Sequence, residues 1–393
     1  MTQKRSQDRE HRAIEVSERV ADVPPSGIRR YFELAEEVED IISLGVGEPD
    51  FSAPWAIREA AIASLERGAT SYTTNRGLRS LREAIETYVH RRFDLGYSAE
   101  NEVLVTTGAS EAVDLAIRTL VDPDDVVAVV EPTYLSYRPI GRLTGAEVIG
   151  VPTAVEDDFR VTPERLAGAG ADEADVLVMC YPNNPTGAVM QIDALRRVGT
   201  FAREHDLTII SDEIYAELSY EDDHVSIASL PGMRERTVVI NGFSKAFAMT
   251  GLRLGYALGP AHVIDAMNRI HQYTMLSSPT TAQHAALEGL RSCLDEVGSM
   301  RQSYDRRRKF VLARLAELGI DCFEAKGAFY VFPRCPWPDE ERFVESLLEE
   351  EQVAVVPGHV FGESGDGHLR VSYATSLEQL REAMSRLERF LAE

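Results

Sequence analysis

Lysine is scarce in this chain, and one of its few lysines lies where an amine could do chemistry. Only four of the 41 lysines and arginines are lysine, namely Lys4, Lys245, Lys309 and Lys326. Lys245 follows the apolar run TVVINGF. A lysine in an apolar setting flanked by glycines can have its ammonium pKa lowered and act as a nucleophilic amine. The usual alternative is an ordinary exposed lysine. However, this chain has replaced nearly every dispensable lysine, which indicates that Lys245 is kept because its amine is needed.

A carboxylate and a phenol follow another apolar run. Asp212 comes directly after LTIIS, and Tyr215 lies three positions later. A carboxylate at the end of a buried strand must find a cation or an N–H donor to offset the loss of water. The local pattern alone also allows a helix cap.

Two further turns end apolar runs with residues that can bind polar groups. VLVTT leads into Gly108, Ala109 and Ser110 and then directly into a helical pattern, so backbone N–H groups, a hydroxyl and a helix dipole could hold a phosphate. A simple N-cap would use the same residues. The turn YPNNPTG is rich in turn-forming residues and predicts that the amide of Asn184 is fixed at a strand end, although a purely structural turn is the alternative.

Taken together, these groups match the requirements of pyridoxal 5'-phosphate. The lysine would bind its aldehyde covalently, Asp212 would keep the ring nitrogen protonated, Asn184 and Tyr215 would hydrogen-bond the ring oxygen, and the small-residue turn with Arg253 would anchor the phosphate.

The elements that must position these groups alternate between apolar runs and helical patterns from about residue 55 to residue 285. The runs VLVTTG, DVVAVVEP, DVLVMCYP, LTIISDE and TVVINGFSK are mostly apolar at consecutive positions, as strands covered on both faces are. Helical patterns at 110–120 and 195–205 separate some of them. We therefore expect an α/β fold with a mostly parallel sheet covered by helices.

The alternation of apolar runs and helical patterns ends near residue 285. Long charged helical patterns and two short apolar runs follow, which indicates a smaller α+β domain. We expect a flexible N-terminal segment at 1–25, a large cofactor-binding domain at 49–284, and a small domain formed by 26–48 plus 285–393. The first 22 residues form at most a loose or marginal helix in this interpretation.

Composition and motifs exclude several classes of protein. The chain has 64 acidic and 41 basic residues, and its formal charge of −23 would repel a nucleic-acid backbone. No apolar run approaches the roughly 20 residues that span a bilayer, and the first residues do not resemble a secretory signal. The histidines lack metal-ligand spacing, and neither a P-loop nor a complete dinucleotide fingerprint is present. The cysteines are expected to be buried thiols in the cytoplasm.

An acid-rich, lysine-poor surface suits a cytoplasm of high salt, where dense charge is screened. This halophilic-type surface is a hypothesis that thermal melts at low and at molar salt would test, because insensitivity to salt would contradict it.

The chain resembles the class I and II aminotransferases of the aspartate aminotransferase superfamily, which are fold type I pyridoxal phosphate enzymes with a seven-stranded sheet. The resemblance runs from about residue 26 to residue 390. It rests on these motifs in the family's order: LGVGEPDF, YTTNRGLRSLREAI, TTGASEA, EPTYLSY, YPNNPTG, SDEIY, GFSKAFAMTGLRLG and FGESGDGHLRVSYA.

The resemblance implies roles for individual residues. Lys245 is similar to the lysine that binds the cofactor, Asp212 to the partner of the ring nitrogen, and Asn184 and Tyr215 to the pair at the ring hydroxyl. Those similar to the phosphate-binding group are Gly108, Ala109, Ser110 and Arg253. Tyr134 resembles the aromatic residue that stacks on the cofactor ring, and Tyr72 resembles a tyrosine that reaches the phosphate of the neighbouring subunit, which implies a homodimer with shared sites.

Arg370 and Gly47 resemble the positions that bind the substrate α-carboxylate. The chain departs from many relatives at Gly242, where they have a phosphate-binding hydroxyl three residues before the lysine. Ser244 or backbone N–H groups would have to replace that hydroxyl.

The resemblance implies transfer of an amino group from an amino acid to a 2-oxo acid such as 2-oxoglutarate. Aspartate and aromatic amino acids both stay open as donors, since no arginine can be assigned to a distal carboxylate; Arg76 is one candidate, with a surface role as the alternative. Carbon–sulfur lyases and decarboxylases on this fold would use the same lysine, aspartate and arginine. Some transcription regulators also carry the fold, but with an N-terminal DNA-binding domain, and only about 25 residues precede the ordered body here.

Overall fold

The computed structural model describes residues 14, 16–36 and 40–392, with the backbone alone for 32–36. The strands are β1 (Ile42–Ser43), β2 (Val103–Thr106), β3 (Val126–Glu131), β4 (Glu147–Pro152), β5 (Val176–Cys180), β6 (Thr208–Asp212), β7 (Thr237–Gly242), β8 (Gly255–Leu258), β9 (Tyr330–Val331), β10 (Val353–Ala354), β11 (Val356–Pro357) and β12 (Leu369–Ser372). The α-helices are α1 (Glu18–Ala21), α2 (Gly27–Glu36), α3 (Trp55–Glu66), α4 (Arg79–Phe93), α5 (Gly108–Leu120), α6 (Tyr137–Thr144), α7 (Pro163–Gly168), α8 (Ile192–Glu204), α9 (Ala261–Thr274), α10 (Thr280–Ser292), α11 (Leu294–Glu317), α12 (Glu340–Glu351) and α13 (Leu377–Ala392).

A seven-stranded sheet in the order β2-β8-β7-β6-β5-β3-β4 forms the centre of the fold. The strands β7, β6, β5, β3 and β4 pair in parallel, and only β8 runs against its neighbours. Because β2 and β7 are both antiparallel to β8, they run in the same direction. The predicted mostly parallel, seven-stranded sheet is therefore confirmed, and the carboxyl ends of six of its strands meet at one edge.

Both faces of the sheet are covered, which explains the consecutive apolar residues. In β5, Leu177 and Met179 belong to one buried cluster, while Val178 and Cys180 belong to the other. Helices α4, α10 and α11 contribute to the first cluster, and α5 and α9 to the second. Side chains alternate between the two faces of a strand, so a strand with two cores needs an apolar residue at every position.

Two strands of the central sheet, β4 and β8, were not predicted from the sequence. β4 is an edge strand whose side chains are mostly half-exposed, so its pattern lacks the continuous apolar character of the central strands. β8 begins with Gly255, where a Cβ atom would lie 2.6 Å from the carbonyl carbon of Gly108. The start of α5 thus rests directly on β8, and this close contact requires a glycine.

Two small sheets lie apart from the central one. β1 pairs with β10, and β11, β12 and β9 form a three-stranded sheet. Ser372 N donates to Leu44 O at 2.7 Å and so connects the segment after β1 to the end of β12. This connection brings residues 45–48 close to Arg370 on β12.

The strands of the central sheet lie between residues 103 and 258, and those of the small sheets lie in 42–43 and 330–372. The predicted domain limits of 49–284, and of 26–48 plus 285–393, agree with this distribution and stay a prediction. Much of the predicted flexible segment 1–25 lies outside the described residues, and its described part contains α1. No helix in the described ranges is long and apolar enough to cross a membrane.

Candidate active site

A cavity of about 700 Å³ opens at the carboxyl edge of the central sheet. Most of the site residues predicted from the sequence line it: Gly47, Ala109, Ser110, Tyr134, Asn184, Asp212, Tyr215, Ser244, Lys245, Arg253 and Arg370. They come from the start of α5, from the segments that follow β1, β3, β5 and β7, from the end of β6 and the turn after it, and from β12. The topology therefore brings together residues that lie far apart in sequence.

Lys245 reaches into this cavity from the turn after β7. Its Nζ donates a hydrogen bond to Gly47 O at 2.6 Å and lies 5.7 Å from the centre of the Tyr215 ring. Burial, together with the positive charges of Arg370 and Arg253, lowers the pKa of the amine to about 8, although Glu48 and Asp212 oppose the shift. A substantial fraction of this amine is therefore neutral, and thus nucleophilic, near neutral pH.

This pKa can be tested by labelling the amines of the cofactor-free protein. Labelling of Lys245 should follow its neutral fraction, rise through a midpoint near pH 8 and level off above it, because only the neutral amine reacts. Lys326 is a control within the same chain, since its hydrogen bond to Glu221 raises its pKa and its labelling should still increase above pH 10. Peptide mapping by mass spectrometry separates the two, and identical pH profiles would contradict the prediction.

Asp212 ends β6 and is a buried residue of the cavity wall. Tyr137 donates a hydrogen bond to its Oδ2 at 2.7 Å, and the Ile214 N–H donates to its Oδ1 at 3.1 Å. Burial raises the pKa of this carboxyl to about 6, while these two hydrogen bonds favour the ionised form. The group can therefore act as a carboxylate partner for a buried cation.

The start of α5 and Arg253 form one compact surface. The structure starts α5 at Gly108, so the predicted small-residue turn is already the first helical turn. Arg253 Nη2 would lie only 2.7 Å from a Cβ atom on Gly108, so the guanidinium packs directly against this turn. Helix N-terminal N–H groups and an adjacent arginine are a suitable environment for a phosphate.

The sequence departure at Gly242 has a steric cause. Gly242 pairs with Gly255 across β7 and β8, and a Cβ atom at Gly242 would lie 2.9 Å from the Gly255 Cα. A serine or threonine side chain does not fit there without movement of β8. Ser244, in contrast, lies on the cavity wall next to Lys245.

Arg370 on β12 is buried and lines the cavity. Its Nη1 donates to Asn184 Oδ1 at 3.0 Å, its Nη2 donates to Gly45 O, and its Nε has no hydrogen-bond partner among the described residues. The guanidinium also lies 4.7 Å from the centre of the Tyr330 ring. A buried arginine with an unpaired donor, facing a cavity, can bind a carboxylate.

The two asparagines of the turn YPNNPTG make different contacts. Asn183 holds the turn, since its amide donates to Cys180 O and its Oδ1 accepts from Thr186. Asn184 is thereby left to present its amide to the cavity beside Arg370. The turn thus holds the amide of Asn184 at the end of β5, and the role of this amide in binding stays a prediction.

Tyr330 was not predicted as a site residue, because in the mostly apolar run GAFYVFP it looks like one more core residue of a strand. Its hydroxyl lies 3.0 Å from the Tyr215 hydroxyl and so close to Gly47 that any Cβ atom there would collide with it. Burial raises the pKa of both phenols, so they stay neutral and can donate hydrogen bonds. No local signal in the sequence marks the polar end of such a ring.

Two candidates from the segment YTTNRG do not line the cavity of this chain. Tyr72 is 79% exposed on the surface. The guanidinium of Arg76 forms an ion pair with Asp265, which gives it a partner outside the cavity. Any contact of Tyr72 with a phosphate would therefore have to be made in another subunit.

Comparisons with known proteins decide the family to which this geometry belongs. The family model described as aminotransferase class I and II matches residues 39–387. The chain belongs to the class I and II aminotransferases. It is 42% identical to an aspartate aminotransferase of Pyrococcus abyssi and 40% identical to aromatic-amino-acid aminotransferase 2 of Thermococcus litoralis, in each case over 96% of this chain and 98% of the relative.

The fold of this aminotransferase agrees with solved structures of the family. The aspartate aminotransferase of Thermus thermophilus with maleate superposes with a TM-score of 0.91 and 39% identity, over 96% of this chain and 100% of that chain. The expectation of a fold type I enzyme is thus confirmed. Aminotransferases of this family use pyridoxal 5'-phosphate, so the predicted cofactor is confirmed as well.

The residues present fit this cofactor. The N-terminus of α5 with Arg253 suits its phosphate, the amine of Lys245 suits its aldehyde, and the carboxyl of Asp212 suits its ring nitrogen. A cavity of about 700 Å³ lies within the range of pockets that enclose small-molecule ligands, roughly 300–1,000 Å³.

Proposed function

We propose that this aminotransferase moves the amino group of aspartate or an aromatic amino acid to a 2-oxo acid such as 2-oxoglutarate, with Lys245, Asp212 and Arg370 as its central residues. The proposal is supported by one observation: the amine of Lys245, with its lowered pKa, lies in the same cavity as the buried carboxylate of Asp212 and the buried guanidinium of Arg370. An amino acid substrate requires all three, because its amino group, the cofactor ring and its α-carboxylate each need a partner.

The cofactor would be held at three places. Its phosphate would bind the first turn of α5 together with Arg253, and the residues of that surface would be Gly108, Ala109, Ser110, Ser244 and Arg253. Asp212 would pair with the ring nitrogen, Asn184 and Tyr215 would hydrogen-bond the ring hydroxyl, and Tyr134 would stack on the ring. When bound, pyridoxal phosphate supplies an electron sink that stabilises negative charge at the substrate Cα.

The substrate would be oriented by its α-carboxylate. Arg370 would bind it in the bidentate manner that a guanidinium allows, and Asn184 and the backbone at Gly47 would complete this site. Lys245, once released from the cofactor, would take the proton from the substrate Cα as a general base and deliver it to C4′ of the cofactor as a general acid. Its lowered pKa suits this role, because an efficient general base has a pKa near the working pH.

The remaining cavity wall favours an aromatic donor over aspartate. Ile28, Val46 and Ile140 line it, and the cations among the described lining residues are Lys245, Arg253 and Arg370, which already have roles. An apolar wall favours an apolar side chain, whereas a distal carboxylate would need a further cation. Arg76 is paired with Asp265 in this chain, so a distal carboxylate would depend on a group from another subunit.

We further propose a homodimer with shared active sites. Tyr72 is highly exposed, and so is Tyr273 nearby in the fold, where Asn75 Nδ2 donates to Leu276 O at 2.6 Å. Exposed apolar residues that lie together are typical of an interface. Light scattering after gel filtration measures the assembly directly, and a monomer would contradict the proposal. The described cysteines are free, which supports a reducing compartment such as the cytoplasm.

The proposed reaction is tested with purified protein, bound cofactor and a panel of amino donors. Tyrosine, phenylalanine and aspartate are each supplied with 2-oxoglutarate, and glutamate formation is measured. We expect transfer from the aromatic donors to exceed transfer from aspartate. Formation of ammonia and pyruvate without glutamate would instead indicate a lyase, and release of CO₂ a decarboxylase.

A further inference from the structure

A buried phenol in the cavity wall, that of Tyr137, holds the carboxylate of Asp212. Tyr137 is the first residue of α6 and is 1% exposed. Its hydroxyl donates to Asp212 Oδ2 at 2.7 Å, and its ring packs edge-on against Tyr134 with ring centres 5.7 Å apart. Since the Ile214 N–H occupies Asp212 Oδ1, each oxygen of this carboxylate has a donor.

The groups around Asp212 act on its ionisation in opposite directions. Burial disfavours the carboxylate, and the negative charge of Glu213 does so as well. The hydrogen bond from Tyr137 is the strongest influence that lowers the pKa of Asp212, followed by the Ile214 N–H and then by the charge of Lys245. Cys180 lies directly opposite Asp212 in the register of β5 and β6, and burial raises its pKa so that it stays a neutral thiol.

We propose that Tyr137 is a positioning residue, whose hydroxyl keeps Asp212 ionised and oriented so that the shared proton lies on the cofactor ring nitrogen. The inference rests on the proposed pairing of Asp212 with that nitrogen. A donor to the carboxylate stabilises its charged form, and this favours transfer of the proton from the carboxyl to the nitrogen. Without the hydroxyl, the same proton shifts back toward Asp212 and the electron sink weakens.

The test compares Tyr137→Phe with Tyr97→Phe in the holoenzyme loaded with cofactor that carries ¹⁵N in the ring. The Tyr97 hydroxyl is buried without a hydrogen-bond partner among the described residues, so its removal deletes an equivalent group elsewhere. We expect Tyr137→Phe to move the ring ¹⁵N chemical shift toward that of the unprotonated nitrogen and Tyr97→Phe to leave it unchanged. An unchanged shift in Tyr137→Phe would overturn the inference.

A second pair of variants separates a specific effect from a structural one. Site-specific replacement of Tyr137 by 3,5-difluorotyrosine keeps the ring packing and makes the hydroxyl a stronger donor, so the ¹⁵N shift should move in the opposite direction. In an Asp212→Ala background, Tyr137→Phe should no longer change the shift, because the group through which the phenol acts is absent. A full effect without Asp212 would contradict the inference.

Kinetics provide an independent measurement. Loss of a hydrogen bond to a charged group should lower kcat about 10-fold to 100-fold, with KM for the amino acid changed less than about threefold, since Arg370 still binds the carboxylate. An equal rise in KM would indicate general disorder of the site and would count against the inference. If Asp212→Ala changes the ¹⁵N shift and Tyr137→Phe does not, this inference alone fails; if neither variant changes it, the proposed role of Asp212 fails.

Discussion

Replacement of Lys245 by alanine should remove turnover and the absorbance of the covalent link between this lysine and the cofactor, while the protein stays folded. Two contributions disappear together, the nucleophilic amine that binds the cofactor aldehyde and the base that moves the substrate proton. General acid–base catalysis alone contributes about 10²-fold to 10⁴-fold, so we expect kcat to fall by at least about 10³-fold. Absorbance of the dialysed variant and single-turnover assays measure the two losses separately.

The chain offers a matched control for this experiment. Lys309 lies on α11, is mostly exposed and forms an ion pair with Asp305 at 2.6 Å. Lys309→Ala removes the same chemical group from the surface and should leave the absorbance and kcat unchanged. Turnover retained in Lys245→Ala, or absorbance lost in Lys309→Ala, would contradict the assignment of the reactive amine.

The charges in the cavity explain why Lys245 is suited to this chemistry. Lys245, Arg253 and Arg370 face the carboxylates of Glu48 and Asp212 across the same space. Burial lowers the pKa of the lysine most, and the two arginines also lower it because three cations close together repel one another. Two anionic ligand groups, such as a phosphate and an α-carboxylate, would offset the charges of the arginines and so raise the pKa of the amine, while burial would continue to lower it.

The central strands could be predicted from the sequence because both of their faces are buried. β5, β6 and β7 are buried at nearly every position and contain consecutive apolar residues, and the polar groups at their ends mark where the strands stop. β4 and β8 could not be predicted in this way. The first is a half-exposed edge strand, and the second begins with a glycine whose purpose is a contact with α5, which no local pattern reveals.

The site could be predicted in part for the same reason. Asp212 and Lys245 follow buried strands, so local pattern and composition single them out. Arg370 contacts Asn184 across 186 residues of sequence, and only the family resemblance indicated it. Tyr137 and Tyr330 look like ordinary core aromatics, because the sequence does not tell where the hydroxyl of a buried ring will point.

Arg370→Lys should weaken binding of the substrate α-carboxylate by about 2–5 kcal/mol, which corresponds to about a 30-fold to 5,000-fold rise in the dissociation constant. The guanidinium donates to Asn184 and Gly45 at the same time and still has an unpaired Nε–H among the described residues. An ammonium is a point charge on a flexible stem and cannot reproduce these contacts and a bidentate carboxylate together. Spectral titration of the holoenzyme with a substrate analogue that binds without reacting measures the dissociation constant.

An exposed arginine and a truncated substrate make this prediction specific. Arg389→Lys changes an exposed arginine that pairs with Glu351 and should leave the dissociation constant unchanged. The second comparison uses the amine that corresponds to the amino acid but lacks the α-carboxylate. The original enzyme should bind this amine much more weakly than the amino acid. Arg370→Lys should weaken binding of the amino acid and leave binding of the amine nearly unchanged, because only the carboxylate contact has changed. The preference for the amino acid should therefore fall by nearly the same factor as the affinity for the amino acid. A preference that survives the substitution would mean that another group binds the carboxylate, and Arg370 would then support the cavity wall without contacting substrate.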